Sequence, residues 1–365
     1  MTEATAPALP RRWQPKRLFA WVLAIAALSF VAWVVPIRDR CEDPAARSTR
    51  VAVTRTDNAC ILHIASGDVT ISAADCARLK CEPGLRSTFA HVRVPYVIAL
   101  FGVYVLGAVA WAARWRVLLA FAGVKVPLRS LVRITMEAQA GGILLPGGIG
   151  GDALRIAFVM GKGAPGAIAV ASVMLDRVIG LVTLAGIAAA LGLGLGGGKV
   201  GVAGWILAAI PFGAATALVV LRSERLRKLP ILSRGRIGKI TQPLLEYLAH
   251  PGALRAVGVA LLVSLVVSAV QLTVVRGCVF ALGGAPTDER WVAVGTAMAF
   301  IVSAVPALPG GWGTADAAFV FFLALAGITS GVALAASLLY RLFWYCLGAM
   351  GAVLYLLRSR AKGTP

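Results

Sequence analysis

Apolar residues run along most of this chain in stretches long enough to cross a hydrocarbon core roughly 30 Å thick, which takes about 20 helical residues. Such stretches lie near Leu18–Pro36, Val94–Ala113, Gly166–Gly194, Val200–Leu221, Ala253–Leu282 and Gly331–Leu357. Two more are interrupted. Ile134–Leu145 and Ala153–Met160 flank Pro146-Gly147-Gly148, and Trp291–Leu308 and Ala315–Gly327 flank Pro309-Gly310-Gly311. Proline and consecutive glycines break helices, and a break inside hydrocarbon leaves backbone N–H and C=O groups that lipid cannot satisfy. Such a break must be buried in protein or face water. Each interrupted stretch is therefore predicted to be a re-entrant helical hairpin, at 134–160 and 291–327, with its tip toward the membrane middle. Full-length helices kinked at Pro-Gly are the alternative. The expected fold class is an all-α polytopic membrane protein of about six full spans plus two re-entrant broken-helix hairpins.

Charge gives this pattern an orientation. The chain has 365 residues, 59% of them hydrophobic, a mean hydropathy of +0.83 and a formal net charge of +20. Its basic residues gather between spans, the positive-inside pattern. Arg11, Arg12, Lys16 and Arg17 precede the first span, and Arg114, Arg116, Lys125, Arg129 and Arg133 follow the second. Arg222, Arg225, Arg227, Lys228, Arg234, Arg236 and Lys239 follow the fourth, and Arg358, Arg360 and Lys362 close the chain. All four segments are expected in the cytoplasm, with both termini inside. The predicted organisation is a basic tail (1–17), a first helix (18–36), an extracytoplasmic loop (37–93), a first membrane unit (94–221), a basic loop (222–252), a second unit (253–357) and a short tail (358–365). Attraction to anionic headgroups accounts for the positive charge. Nucleic acid is not expected, because the clusters lack interleaved aromatic residues for base stacking. The first apolar stretch is long and lacks a small-residue cleavage site, so it is expected to remain as an anchor.

The exported loop holds Cys41, Cys60, Cys76 and Cys81. In an oxidising compartment these read as two disulfides, with three connectivities open, because a small fold lacks the core to stand alone. Alternating stretches at Val51–Thr54 and Ile61–Ile64 suggest a small β-rich cap. Zinc is the alternative, disfavoured by the absence of a CxxC pair. Cys278 and Cys346 fall in apolar runs and read as packing residues. The loop is also a candidate surface for an extracytoplasmic partner.

The interrupted stretches form an internal repeat. Leu145-Pro146-Gly147-Gly148-Ile149-Gly150 matches Leu308-Pro309-Gly310-Gly311-Trp312-Gly313, and each is followed by an aspartate, Asp152 or Asp316, and 25 residues later by an arginine, Arg177 or Arg341. The first hairpin is expected to open from the cytoplasm and the second from outside, which inverts one unit relative to the other. Inverted units around a midplane site are a common construction of secondary transporters. Asp176, Arg177 and Arg341, the last beside Tyr340, fall near mid-span, where charges are costly and retained for function or pairing. Glu137, Gln139, Asp152, Arg155 and Asp316 are expected to converge there. Helix N-termini just after the glycines would hold an anion such as phosphate, with Arg155, Arg177 and Arg341 adding charge-assisted hydrogen bonds and the glycines allowing close approach. In the alternative, Asp152 and Asp316 cap their own helices and Arg177 and Arg341 pair with acidic residues across the repeat interface.

The motifs PGGIGGDALR at Pro146–Arg155, Asp176-Arg177 with Gly180-Leu181, PGGWGTAD at Pro309–Asp316, and Tyr340-Arg341 together resemble the lysylphosphatidylglycerol synthase transmembrane-region family. The resemblance covers roughly Val94 to Leu357. It implies a prokaryotic inner-membrane protein that moves a lipid between leaflets, whether an aminoacylated phospholipid, a polyprenyl-phosphate carrier or a hopanoid. It implies further that the glycine motifs and the arginines line the lipid path. The soluble aminoacyl-transferring domain of full-length synthases has no counterpart here, so synthase activity is not carried over. The cysteine-containing loop is not a general feature of the family.

An intramembrane transferase using a lipid-linked donor is a competing expectation, as is a scaffold subunit whose charges serve assembly. An enzyme needs a clustered acid, base or metal set at a membrane face. His63, His91 and His250 have no metal-ligand spacing, and Gly192–Gly198 before Lys199-Val200 fails the P-loop pattern. No cofactor and no metal are expected. The expected partners are membrane lipids, anionic or phosphate-bearing.

Overall fold

The computed structural model describes residues 29–42, 50–56, 59–64, 67–79, 81–90, 92–144, 149–193, 198–222, 244–248, 250, 252–303 and 313–362. A helical stretch at 29–34 leads into a small antiparallel sheet. Its strands are β1 (Asp39–Glu42), β2 (Arg50–Arg55), β3 (Ala59–Ile64), β4 (Gly67–Ser72) and β5 (Cys81–Glu82), ordered β4-β3-β2-β1-β5. Helix α1 (Ala73–Arg78) precedes β5, and α2 (Leu85–Ala90) follows it. The period-2 alternation that predicts strands at Val51–Thr54 and Ile61–Ile64 sends Val53 and Leu62 inward, where they pack with Cys41, Cys60 and Cys76. Disulfides join Cys41 to Cys81 and Cys60 to Cys76. That fixes the connectivity left open by the sequence, and it leaves none of these four sulfurs as a thiolate for zinc. Cys278 and Cys346 are free; Cys278 is buried, as expected of a packing residue, whereas Cys346 is half-buried.

Four helices are long and apolar enough to cross a membrane among the described residues: α3 (Val94–Phe121), α6 (Gly166–Leu193), α8 (Ala253–Ala281) and residues Ser330–Arg358 of α11 (Ser330–Lys362). Helix α7 (Gly198–Arg222) covers the expected fourth span and is apolar over Gly204–Ala217. The expected first span falls mostly on residues outside the described set, as does most of the basic loop at 222–252. One boundary is corrected. The second span, expected to end at Ala113, continues through Arg114 and Arg116 to Phe121, because a helix carries polar residues wherever neighbouring helices supply partners.

Glycines set the closest helix contacts. Helices α3 and α8 lie antiparallel, with Gly107 against Val270, Gly277 against Leu100, and the Arg93 N–H donating to the Ala281 carbonyl at 3.4 Å. Near the other end of this pair, Phe121 meets Tyr247 and His250 edge to face.

The interrupted stretches form two pairs of short helices, α4 (Leu128–Leu144) with α5 (Ile149–Met160), and α9 (Glu289–Ser303) with α10 (Thr314–Ala324). Within each pair the helices pack antiparallel: Gly142 faces Gly151, and Phe300 faces Phe319. The start of α4 and the end of α5 pack with Trp115 and Leu119, near the C-terminal end of α3. At the start of α9 and the end of α10, Thr287 bonds to Ala326, close to the C-terminal end of α8. Since α3 and α8 run antiparallel, the start of α4 and the start of α9 lie toward opposite ends of the molecule.

The ends of these helices next to the breaks converge on α11. Gly142 lies beside Trp344, Phe300 packs on Tyr340, and Asp316 bonds to Arg341. Residues 340–344 occupy barely more than one turn near the middle of the apolar part of α11.

Candidate functional site

Asp176 organises the larger charged cluster. It lies on α6 with no solvent exposure and accepts three hydrogen bonds: from Trp111 Nε1 at 2.7 Å, Arg114 Nε at 2.7 Å and Arg155 Nη2 at 2.8 Å. Charge-assisted bonds of this length are the strong ones, and they offset the cost of burying the carboxylate. Helical spacing explains the donors. Trp111, Arg114 and Trp115 share one face of α3, because residues three and four apart in a helix are neighbours. Arg114 extends the network through Nη1 to Ser264 Oγ on α8 at 2.8 Å, and Trp115 Nε1 donates to Ser172 Oγ at 3.1 Å. Gly180, one turn beyond Asp176, makes room for the guanidinium: a Cβ there would stand 2.9 Å from Arg114 Nη1.

Arg155 is the unusual member. It is 2% exposed, and its guanidinium lies over two indole rings, 4.9 Å from the centroid of Trp111 and 4.2 Å from that of Trp115. Its Nη2 is committed to Asp176, but Nε and Nη1 have no hydrogen-bond acceptor among the described residues. Asp152 Oδ1 is 3.9 Å from Nη1, close enough for attraction and too far for a hydrogen bond. Asp152 pairs with Arg177 through its other oxygen. Three guanidiniums, Arg114, Arg155 and Arg177, thus face two carboxylates, Asp152 and Asp176, which leaves one positive charge in excess.

Asp316 organises the smaller cluster. Both its oxygens lie 2.8 Å from Arg341 Nη2, Oδ1 accepts from Ser337 Oγ at 2.7 Å, and Oδ2 accepts from the Gly313 N–H at 3.0 Å. The aspartate therefore both caps α10 and pairs with an arginine, as in the alternative reading of the sequence, but the arginine is that of its own unit and not one across the repeat interface. Gly313 takes φ +78°, a positive-φ conformation open to glycine and disfavoured for residues with a Cβ. Tyr340 packs its ring against Tyr104 and Phe300.

The expected site residues therefore separate into groups. Asp152, Arg155, Asp176 and Arg177 meet, with Gly150 buried at the start of α5, and Gly313, Asp316 and Arg341 meet on the other pair. Two expectations are corrected. Arg177 is not buried with its neighbour: consecutive helical residues point about 100° apart, and its side chain is 47% exposed while that of Asp176 is sealed. Glu137 does not join either cluster but faces Arg133 and Arg358. Pro146, Gly147, Gly148, Pro309, Gly310 and Gly311 lie outside the described residues. Trp111, Arg114, Trp115, Ser264 and Ser337 complete the clusters and were not foreseen. The i, i+4 spacing of the two tryptophans around Arg114 is the signal that points to them. Among the described residues no group of three His, Cys, Asp or Glu side chains is placed to hold a metal ion.

Residues 84–351 match the family model for the lysylphosphatidylglycerol synthase TM region. Among curated proteins, none matches the sequence.

Proposed function

The chain belongs to the lysylphosphatidylglycerol synthase transmembrane-region family, and from that premise, joined to the geometry of the charged clusters, we propose that it moves an anionic or phosphate-bearing lipid between membrane leaflets. The candidates are a phospholipid, a polyprenyl-phosphate-linked lipid or a hopanoid. In this reading α4–α5 and α9–α10 are re-entrant hairpins of two inverted units. The lipid enters sideways, its headgroup sits near the closed ends of the hairpins, and the units rock so that the site faces each leaflet in turn. The disulfide-linked sheet is extracytoplasmic and both basic termini are cytoplasmic, in a prokaryotic inner membrane.

The observation that carries the reading is Arg155. A buried guanidinium with two unused donors, lying over two indoles in a cluster with excess positive charge, is costly unless an anion completes it. Phosphate oxygens match that fork. Convergence of the two helix pairs on residues 340–344 from opposite ends supports alternating access.

The test is reconstitution into vesicles with fluorescent phosphatidylglycerol or a polyprenyl phosphate, following the leaflet of each probe. Arg155→Gln and Arg341→Gln are expected to slow translocation at least tenfold. Unchanged rates in both variants would reject the assignment, and conversion of the lipid without movement would favour a transferase.

A further inference from the structure

Glu137 on α4 stands apart from both clusters. Its side chain is 1% exposed, and neither carboxylate oxygen has a hydrogen-bond partner among the described residues. Its burial follows from the α4–α11 crossing, where the absence of a side chain at Gly351 lets α11 rest on the backbone of Met136 and Glu137. Two guanidiniums face the carboxylate. Arg133, one turn earlier on α4, places Nε 3.7 Å from Oε1, and Arg358 on α11 places Nη1 3.8 Å from Oε2. Both distances exceed hydrogen-bonding range. The charges attract without being locked in the bidentate geometry that arginine and carboxylate adopt when they form a sealed pair.

The arginines remain open to other ligands. Arg133 is 46% and Arg358 32% exposed at the side chain, and two guanidiniums against one carboxylate leave one positive charge. The surroundings select among anions. Tyr355, Leu356 and Leu357, on the same helix just before Arg358, are exposed apolar side chains, and Phe158 of α5 packs on Tyr355. Arg358 lies 28 residues beyond Ser330, about 42 Å along the helix axis. That puts it at the end of the molecule remote from the disulfide-linked sheet, which meets the start of α11 where Pro83, next to β5, lies against Gly331. Loosely held guanidiniums beside bare apolar side chains fit a ligand that carries both a phosphate and acyl chains.

We propose that Arg133 and Arg358 form a docking site for the phosphate of a membrane phospholipid, with Glu137 the internal anion that occupies the two arginines until the lipid displaces it. Phosphate offers oxygens for the guanidinium forks that the distant carboxylate leaves unused. The role of the site as the mouth of the lipid path deepens the translocation reading and rests on it. The chemistry of the site stands apart from that reading.

Competition between an internal and an external anion gives variants effects of opposite sign. Full-length protein in detergent is titrated with dioctanoyl phosphatidylglycerol, dioctanoylglycerol and inorganic phosphate, with binding read by native mass spectrometry. Arg133→Gln and Arg358→Gln are expected to weaken phosphatidylglycerol binding about tenfold, and Glu137→Gln to strengthen it severalfold. Arg358→Lys keeps the charge without the fork and is expected to weaken binding less than Arg358→Gln. Weaker or unchanged binding in a folded Glu137→Gln protein would overturn the proposal, as would unchanged binding in both arginine variants. Equal affinity for dioctanoylglycerol would remove the phosphate from the site, and equal affinity for inorganic phosphate would remove the acyl chains. Binding with the expected signs by a protein that translocates no lipid rejects the transport reading and leaves the docking site in place.

Discussion

Arg341 and Asp316 are 25 residues apart in the chain, yet Arg341 Nη2 lies 2.8 Å from each carboxylate oxygen of Asp316. Asp152 and Arg177 have the same spacing and are also paired. In each case an aspartate in the first turn of a short helix meets an arginine on the long helix that follows. The two pairs have diverged in setting. Asp316 and Arg341 are both buried, with Ser337 and the Gly313 N–H filling the remaining acceptor capacity, whereas Arg177 is half-exposed. Two ties of the same design hold the second arm of each broken helix to a long helix, and the sealed one has the stronger claim to a structural role.

The sealed pair can be tested for that role directly. Arg341→Met leaves Asp316 buried with two neutral donors, and removing one partner of a buried ion pair costs about 3–5 kcal/mol. The double variant Asp316→Asn with Arg341→Met removes both charges and is expected to recover most of that loss. Thermal unfolding in detergent, monitored by aggregation on size-exclusion chromatography, measures the recovery. Translocation measured on the same proteins separates assembly from transport. A double variant that folds like wild type and still fails to move lipid assigns the arginine to the transport step.

Arg114 carries a second prediction. It bridges α3, α6 and α8 through Asp176 and Ser264. Arg114→Leu deprives Asp176 of one of its two cationic donors, with an expected cost of about 3–5 kcal/mol. Ser264→Ala removes a single neutral acceptor, with an expected cost of about 1 kcal/mol. The ranking of these two variants in the same melting assay is the check. Equal melting temperatures would mean that Arg114 is not the tie between these helices.

Arg114 also shows where sequence reasoning stops. Hydropathy delimits α6 and α8 to within a residue at each end, because nothing polar interrupts the fully buried side of their apolar runs except groups with partners. At Ala113 the same criterion ends the second span early, since Arg114 and Arg116 look like topology-setting charge until Asp176, 62 residues further on, is seen to accept from one of them. The shared 25-residue spacing of Asp152 and Arg177 and of Asp316 and Arg341 is legible in the sequence; that each arginine pairs with the aspartate of its own unit, and not across the repeat interface, is not. What spacing along the chain does not encode is the direction in which each side chain leaves its helix. Asp176 and Arg177 are adjacent in sequence and end in different surroundings, and Glu137 turns toward α11 and not toward the other carboxylates.

Glycine substitutions test the helix contacts at single-atom scale. A methyl at Gly351 would overlap the Met136 carbonyl oxygen and crowd the Glu137 N–H, both of them backbone atoms that cannot turn aside. Gly351→Ala is expected to push α11 off α4 at a cost of about 1–3 kcal/mol. A Cβ at Gly258, in α8, meets nothing within 4 Å, so Gly258→Ala is expected to be neutral or stabilising by up to about 1 kcal/mol. Thermal melts of the two variants check the contrast, and a similar drop in both would contradict the packing at the α4–α11 crossing.

The disulfide-linked sheet gives the last prediction. Cys41 and Cys81 face each other across β1 and β5, and Cys60 on β3 joins Cys76 on α1, so the two bridges close segments of 40 and 16 residues. Peptide mapping without reduction is expected to recover these two linkages and no other pairing of the four cysteines. In the chain-entropy account a longer closed loop stabilises more, with about 3 kcal/mol for a loop of 15 residues and somewhat above that for 40. Replacing Cys41 and Cys81 with serine is therefore expected to sensitise the sheet to limited proteolysis more than replacing Cys60 and Cys76. The first bridge also anchors β5 directly before Pro83 and Gly84, whose backbones touch Gly331 at the start of α11 and the chain at Arg38. Its loss is expected to loosen the seam between sheet and membrane helices, read as faster hydrogen exchange at Leu85–Ala90, whereas loss of the Cys60–Cys76 bridge leaves that seam protected. Equal exchange in the two variants would show that the sheet is not coupled to the helices through β5.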